Sequence, residues 1–155
     1  MQFSHFTNEP LAAIRSTEQK PRYDDWSEYE KPRGFWVSVD GENDWLDWCT
    51  SESFGIGSRR YRIQLDLSRV LVLPDPSDLL TFTERYGRDV GRYGRKAIDW
   101  RAVSDLHAGI VIAPYHWSCR LDERTSWYYG WDCASGCIWD ATAVTCVEEF
   151  ERAAA

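Results

Sequence analysis

Histidine and tryptophan are the residues of this chain whose types and placement are most informative about chemistry. His5 precedes Asn8 and Pro10 near the start of the chain, and Trp36 and Trp48 follow farther along. Nine Trp and eight Tyr contribute to an aromatic content of 15%, which predicts a core or a pocket with flat, polar-tipped walls. A lone histidine is usually a surface or hydrogen-bonded residue, and each Trp taken singly fits a core position equally well. The order of the surrounding motifs therefore carries the argument.

Three short motifs follow one another in the first third of the chain. His5-Phe6-Thr7 lies in a predicted strand, and Asn8 is a suitable N-cap for a helix after it. Arg33-Gly34-Phe35-Trp36-Val37-Ser38 falls in the second predicted strand because of its aromatic and β-branched residues. Asp44–Cys49 is a predicted helical turn that holds two Trp residues. A last motif, Ala134–Val144, stands near the C-terminal end.

The order of these motifs resembles the diphtheria-toxin-like and poly(ADP-ribose)-polymerase-like branch of the ADP-ribosyltransferases. That branch opens with a His-Gly-Thr or His-x-Thr strand and a helix, followed by a Gly-Ile-Tyr-Phe-Ala/Ser strand. A short helix then ends in a second Tyr, often followed by Cys, which Trp48 and Cys49 match. Ala134–Val144 resembles the family's final signature through Ile138, Trp139, Asp140 and Val144. The resemblance implies an α+β fold in which two packed, mainly antiparallel sheets with peripheral helices form an NAD cleft.

The resemblance also implies a role for each matched residue. His5 would bind the adenosine-side ribose of NAD, and Phe6 would offer backbone groups to the nicotinamide carboxamide. Trp36 and Trp48 would enclose the nicotinamide, because a flat cationic ring is held by aromatic walls worth about 0.5–2 kcal/mol each. Gly34 would allow close backbone approach to the ring. The implied NAD-binding residues are His5, Phe6, Thr7, Arg33, Gly34, Trp36, Ser38 and Trp48.

One position departs from the family pattern. Ser135 stands where the resemblance places the catalytic Glu, which stabilises the charge that develops as nicotinamide leaves. A serine offers a hydrogen bond and no charge, and loss of such a positioned group costs about 10²–10³ in rate. Asp132 lies in a predicted turn and is a better substitute than Asp140, which a regular strand places on the opposite face from Ser135. The predicted catalytic residues are therefore His5, Ser135 and Asp132.

Two weaker sets of residues accompany these motifs. Arg33 and Arg15 are candidate contacts for the NAD pyrophosphate, whereas the adjacent Arg59 and Arg60 read as solvated surface. A second set, His116, Cys119, Cys133 and Cys137, supplies four soft ligands that could hold zinc tetrahedrally. The Cys-x₃-Cys spacing is wider than the common Cys-x₂-Cys, and buried reduced thiols explain the same residues. The sequence therefore predicts no metal and leaves a zinc-stabilised interaction protein as an alternative.

Strands and helices that must position these residues alternate along the chain. The predicted strands are Gln2–Phe6, Gly34–Val39, Tyr61–Leu67, Val70–Leu73, Gly109–Ile112, Trp127–Trp131 and Gly136–Trp139. The predicted helices are a segment with Leu11 and Ile14 after Asn8, then Asp44–Cys49, Ser77–Tyr86 and Ile98–Leu106. Glu18–Lys31 is a predicted loop, and Ala141–Arg152 suits a strand in its first half and a helix in its second. This pattern predicts one α+β domain over residues 1–155.

Charge and composition limit the classes of partner. A formal net charge of −7 argues against nonspecific nucleic-acid binding and against binding to anionic membranes. No apolar run reaches the roughly eighteen residues of a membrane span, and the N-terminus lacks the features of a secretory signal. Five cysteines fit an intracellular protein with reduced thiols. We therefore expect a cytoplasmic location.

These observations predict an NAD-dependent mono-ADP-ribosyltransferase that passes ADP-ribose to a protein or nucleic-acid acceptor. Its small size and acidity suit a bacterial or phage effector or toxin. An alternative is a catalytically inactive domain of the same fold that binds NAD, ADP-ribose or a protein partner. Both hypotheses require His5, Trp36, Trp48 and Ser135 to line one cleft.

Overall fold

The computed structural model describes residues 1–20, 30–90 and 94–152, which form a mixed α+β structure. The strands are β1 (Phe3–Thr7), β2 (Phe35–Val39), β3 (Arg59–Leu65), β4 (Val70–Leu73), β5 (Gly87–Asp89), β6 (Lys96–Ile98), β7 (Gly109–Ile112), β8 (Ser135–Ile138) and β9 (Val144–Arg152). The α-helices are α1 (Trp45–Ser51), α2 (Pro76–Tyr86), α3 (Trp100–Ser104) and α4 (Trp117–Arg120). Two 3₁₀ segments, Glu123–Gly130 and Ala141–Ala143, complete the set. The predicted α+β class is confirmed.

Seven strands form one sheet in the order β4-β7-β8-β2-β1-β3-β9, and β5 and β6 form a separate two-stranded sheet. Every pairing in the large sheet is antiparallel except β4 with β7, which is parallel. The strand β7 is buried along its whole length, as expected for a strand that is covered on both faces. The core therefore lies around the β4-β7-β8 side of the sheet, where α2 and the Glu123–Gly130 segment pack.

The sheet separates between β1 and β2. These strands share only two residue pairs, Phe3 with Val39 and Ser4 with Ser38. Beyond that point β1 continues along β3 for three further pairs, whereas β2 continues along β8. The two strands therefore diverge after Ser4 and Ser38 and leave a wedge-shaped opening in the sheet.

Several predicted elements agree with the structure closely. Val70–Leu73 and Gly109–Ile112 have the predicted bounds, and α2 begins one residue before the predicted Ser77. The predicted turn Asp44–Cys49 is the helix α1, with Asp44 as its N-cap. The predicted loop Glu18–Lys31 falls largely outside the described residues, which omit 21–29.

The predicted helix after Asn8 is wrong. Residues 8–20 contain neither helix nor strand. The Leu11 N–H donates to the Tyr61 hydroxyl oxygen at 3.1 Å, and the Thr17 N–H donates to the Trp139 carbonyl at 2.8 Å. Backbone groups of this segment are therefore satisfied by distant strands rather than within a helix.

The predicted strand Trp127–Trp131 is also wrong, because Glu123–Gly130 is a 3₁₀ segment with non-helical torsions at Thr125. Trp127 and Tyr128 are both buried, whereas a half-buried strand would bury alternate residues. The Thr125 hydroxyl donates to the Cys119 carbonyl at 2.7 Å and fixes the bend.

Two further boundaries differ from the prediction. The second half of Ala141–Arg152 is strand rather than helix, because β9 pairs with β3 along its length and forms the edge strand of the large sheet. The predicted helix Ile98–Leu106 is shorter, since Ile98 ends β6 and Asp99 caps α3 by accepting from the Ala102 N–H. No helix in the described ranges 1–20, 30–90 and 94–152 is long and apolar enough to cross a membrane.

Candidate functional site

A cleft of about 350 Å³ lies at the opening between β1 and β2. Six of its lining residues were predicted from the sequence: His5, Phe6, Trp36, Ser38, Asp132 and Ser135. Six others were not: Ser4, Lys31, Val37, Trp45, Trp131 and Cys133. The cleft therefore brings together residues from β1, β2, α1 and the segment that leads into β8.

Strand register places three serines side by side across the sheet. Ser4 pairs with Ser38, and Ser38 pairs with Ser135, so the three side chains share one face of neighbouring antiparallel strands. All three are buried. The Ser4 hydroxyl donates to Asp40 Oδ2 at 2.9 Å and accepts from Arg60 Nε at 3.0 Å. This serine row forms the polar floor of the cleft.

His5 bridges the diverging strands. Its Nδ1 lies 2.8 Å from the Trp36 carbonyl oxygen, and because that oxygen only accepts, Nδ1 carries the proton. Burial lowers the pKa of His5 from its ordinary 6.5, although the bond to Trp36 opposes the shift. The ring is therefore neutral near pH 7, and Nε2 is its acceptor nitrogen.

Two aromatic rings in contact with each other form one wall of the cleft. Trp36 and Trp131 have ring centroids 4.9 Å apart in a tilted arrangement. Lys31 Nζ lies 5.6 Å from the Trp36 ring centroid and 2.8 Å from Asp132 Oδ2. The Lys31 cation thus lies between the Trp36 ring and the Asp132 carboxylate.

The second predicted wall, Trp48, is not among the residues that line the cleft; Trp45 takes that position. The Asp44 carboxylate caps α1, and the Ser38 hydroxyl oxygen accepts from the Trp45 N–H at 3.0 Å. That bond fixes Trp45 beside β2. Trp48 stacks behind it with centroids 4.9 Å apart. The two residues are about one turn apart in α1, which places both on one side of the helix.

The predicted catalytic residues have defined partners. The Ser135 hydroxyl donates to the Cys133 carbonyl at 3.0 Å, while Asp132 is paired with Lys31. Burial raises the pKa of Cys133 to about 11, so this thiol is neutral. Asp140 lies away from the cleft, where its carboxylate binds Arg69 and caps the Ala141–Ala143 turn.

Besides Trp48, three predicted NAD contacts lie outside the cleft lining. Gly34 faces β8, where a Cβ at this position would lie 2.5 Å from the Ile138 carbonyl oxygen. Its close approach therefore serves strand packing, not ligand access. Arg33 is exposed. Gln19 Nε2 donates to the Arg33 carbonyl at 2.7 Å, and the Arg33 N–H donates to Gln19 Oε1 at 2.9 Å. Thr7 is covered by Gly57, at which a Cβ would lie 2.4 Å from the Thr7 nitrogen.

The adjacent arginines are structural rather than solvated. Arg59 forms an ion pair with Glu149 at 2.8 Å. Arg60 lies 3.0 Å from Asp40 Oδ2 and stacks over the rings of Phe6 and Phe150. Arg60 therefore supports the end of the serine row at Ser4.

The candidate zinc ligands serve other contacts. His116 Nε2 donates to the Leu73 carbonyl at 3.2 Å, since that oxygen only accepts, and the Cys137 thiol donates to the Pro32 carbonyl at 3.6 Å. Burial raises the pKa of both Cys119 and Cys137. Within the described part of the chain, no group of three or more His, Cys, Asp or Glu side chains could hold a metal ion.

The register of the strands is the signal that the sequence lacked. Ser4 and Trp131 could be assigned to the cleft only after β1, β2 and β8 were placed in order. Comparison with known proteins gives no significant match to a protein family, to a curated protein sequence or to a solved structure.

Proposed function

We propose that the protein binds NAD in the cleft between β1 and β2 and acts as a mono-ADP-ribosyltransferase. The supporting observation is the convergence of His5, Trp36 and Ser38 with Asp132 and Ser135 in a single cleft. These residues come from both ends of the chain. Four of them were predicted from the family resemblance, and Asp132 was predicted as a substitute for the carboxylate that Ser135 replaces. Their convergence satisfies most of the geometric requirement of the hypothesis, with Trp45 in place of Trp48.

Cleft size and lining agree with this proposal. The volume of about 350 Å³ lies in the range typical of small-molecule sites. Trp36, Trp45 and Trp131 offer aromatic surface to a flat cationic ring, which binds such surfaces by stacking and cation–π attraction. The sheet also divides at the cleft into a β4-β7-β8-β2 group and a β1-β3-β9 group, joined by two residue pairs. This division is compatible with the proposed ADP-ribosyltransferase-like fold.

The proposed reaction breaks the bond between nicotinamide and ribose. The bonding electrons leave with nicotinamide, which becomes neutral, and positive charge develops on the ribose. An acceptor nucleophile then bonds to that ribose carbon and releases its proton to the solvent. The Asp132 carboxylate, once released from Lys31, would stabilise the positive charge that develops on the ribose. His5 Nε2 would accept a hydrogen bond from a ribose hydroxyl.

A non-catalytic NAD or ADP-ribose binder is a second candidate, favoured by one specific observation. The Ser135 hydroxyl is engaged with the Cys133 carbonyl, and the Asp132 carboxylate is engaged with Lys31. Both groups expected to act on the ribose thus have protein partners. A binder needs neither of them to be released.

Calorimetry with NAD and an assay of nicotinamide release separate these candidates. Wild type, His5→Ala and Asp132→Ala are compared with Asp89→Ala, a matched control because Asp89 pairs with Lys96 at 2.6 Å outside the cleft. We expect His5→Ala to weaken NAD binding, and Asp132→Ala to lower release about 10²-fold or more, with Asp89→Ala unchanged. NAD binding without release in wild type identifies a binder. Absence of NAD binding contradicts the transferase, and absence of binding to both NAD and ADP-ribose, titrated in the same way, contradicts both candidates.

A further inference from the structure

A second aromatic surface leads away from the cleft along α1. Trp45 and Trp48 are stacked, and Phe54 packs against both, with centroid distances of 5.8 and 5.4 Å. The chain turns back after α1 because the Phe54 N–H donates to the Cys49 carbonyl at 2.8 Å. We refer to Trp45, Trp48 and Phe54 as the α1 platform. Phe54 is 55% exposed, so the platform reaches the solvent.

The α1 platform is continuous with the cleft. Trp45 lines the cleft on one side and stacks on Trp48 on the other. A ligand group that projects out of the cleft past Trp45 would therefore meet Trp48 and Phe54 next. Any molecule that reacts with a ligand in the cleft must approach from such a rim.

The platform lies in an acidic part of the chain. Residues 40–52 contain five Asp or Glu residues and no Lys or Arg, within a chain of net charge −7. Asp40 is paired with Arg60, and Asp44 is buried as the α1 cap. Glu42, Asp47 and Glu52 are exposed.

One of these carboxylates shares a helix face with the platform. Trp45 and Trp48 are three residues apart on one side of α1. Glu52 is the C-cap of α1, and because its N–H donates to the Trp48 carbonyl at 3.0 Å, it follows Trp48 at the helical spacing of four residues. Exposed aromatic faces next to a carboxylate favour a cation that is also flat. A guanidinium has both properties, since it stacks on aromatic rings and pairs with carboxylates in a planar fork.

We propose that the α1 platform docks an arginine side chain of a basic protein acceptor. This inference rests on the proposed function only in naming the docked protein an acceptor. Charge complementarity with the 40–52 segment selects a basic partner, and the stacked rings select arginine over lysine.

A binding experiment without NAD tests the platform directly. The probe is a short arginine–glycine repeat peptide, compared with the same peptide carrying citrulline, which keeps the shape and removes the charge. Affinity is measured by calorimetry with the full chain. We expect Phe54→Ala and Glu52→Gln each to weaken peptide binding about fivefold, as loss of one exposed cation–π or charge contact predicts. Matched controls are Leu121→Ala, an exposed apolar residue elsewhere, and Glu84→Gln on α2.

The outcomes are distinguishable from those of the NAD experiment. Peptide binding that requires arginine, and that falls in both platform variants alone, supports the inference even if no nicotinamide is released. Equal binding of the citrulline peptide, equal loss in the control variants, or no peptide binding overturns it while leaving NAD binding intact. Tighter binding of a single-stranded oligonucleotide than of the arginine peptide also overturns it.

Discussion

Two dense aromatic clusters differ mainly in their exposure to water. The buried cluster consists of Phe82, Trp100, Trp127, Tyr128 and Trp131. The α1 platform consists of Trp45, Trp48 and Phe54, of which Phe54 is more than half exposed. Both are built from the same residue types at similar ring distances, and the cleft lies where they meet, with Trp131 and Trp45 as its two walls.

Polar contacts explain the difference between the clusters. In the buried cluster the Trp127 indole N–H donates to the Thr83 hydroxyl at 2.8 Å, and the Trp100 indole donates to the Glu30 carbonyl at 2.8 Å. Such partners lower the cost of burying an indole N–H. The Trp131 indole of the same cluster is the exception, because its Nε1 is buried with no hydrogen-bond partner among the described residues. The platform rings are instead partly open to solvent. The Trp131 wall of the cleft thus belongs to the core, and the Trp45 wall belongs to a partly exposed surface. Substitutions in the core cluster should therefore change the free energy of unfolding, and substitutions in the α1 platform should change ligand binding.

The largest expected effect is on stability, in the buried cluster. Trp127→Ala should lower the free energy of unfolding by about 3–5 kcal/mol, because it leaves a cavity among packed rings. Phe54→Ala should lower it by less than about 1 kcal/mol, since that ring is half in solvent. Chemical denaturation followed by circular dichroism measures both. Equal losses in the two variants would show that the platform is part of the core.

A smaller effect is expected on ligand affinity at the wall between the clusters. Trp45→Ala should weaken NAD binding about five- to tenfold, the range for loss of one aromatic wall. Trp48→Ala should leave NAD affinity within about twofold, because Trp48 stacks behind Trp45 and does not line the cleft. Calorimetric titration of each folded variant with NAD gives the comparison. A larger loss of NAD affinity in Trp48→Ala than in Trp45→Ala would identify Trp48 as the residue that stacks on the nicotinamide ring.

The smallest expected effect is the pH dependence contributed by His5, which lines the cleft. Because its pKa is lowered by burial, the folded protein resists a proton that the unfolded chain accepts below about pH 6.5. Stability from this residue is therefore complete above pH 6.5 and is lost as pH falls toward the lower folded pKa. His5→Gln should reduce the acid-side slope by at most about 1.4 kcal/mol per pH unit.

His107 provides the control for that measurement. Its pKa is also lowered, by burial and by the nearby Arg85, so it contributes a slope of the same sign. Denaturation midpoints of His5→Gln, His107→Gln and wild type between about pH 7 and pH 5 separate the two contributions. If stability depends on pH as steeply in His5→Gln as in wild type, the His5 ring is more hydrated than its burial indicates.

The sequence was sufficient for elements that depend on local patterns. The apolar run of β7, the helix predicted over Ser77–Tyr86 and the helical turn predicted over Asp44–Cys49 agree with the structure, because each is specified by neighbouring residues. It failed for Trp127–Trp131, where tertiary packing buries consecutive residues, and for residues 8–20, whose backbone bonds go to distant strands.

The candidate site shows the same division. His5, Trp36 and Ser135 were found because a motif order indicated them, whereas Ser4 and Lys31 carry no local signal. Ser4 joins the site only because it pairs with Ser38 in the sheet, and Lys31 because it reaches Asp132 from a distant part of the chain. Pairing between remote segments is a property of the fold and not of any sequence window.

The divergence of β1 and β2 has a consequence for how readily the cleft could be adapted. Its opening is set by where two backbones stop pairing, and the His5 side chain bonds across it to the Trp36 carbonyl. The lining positions other than His5 can therefore be redesigned while the opening persists. This makes the protein a starting point for engineering the recognition of other flat ligands. The residues of the cleft walls would be changed, and the separation of β1 and β2 would be kept.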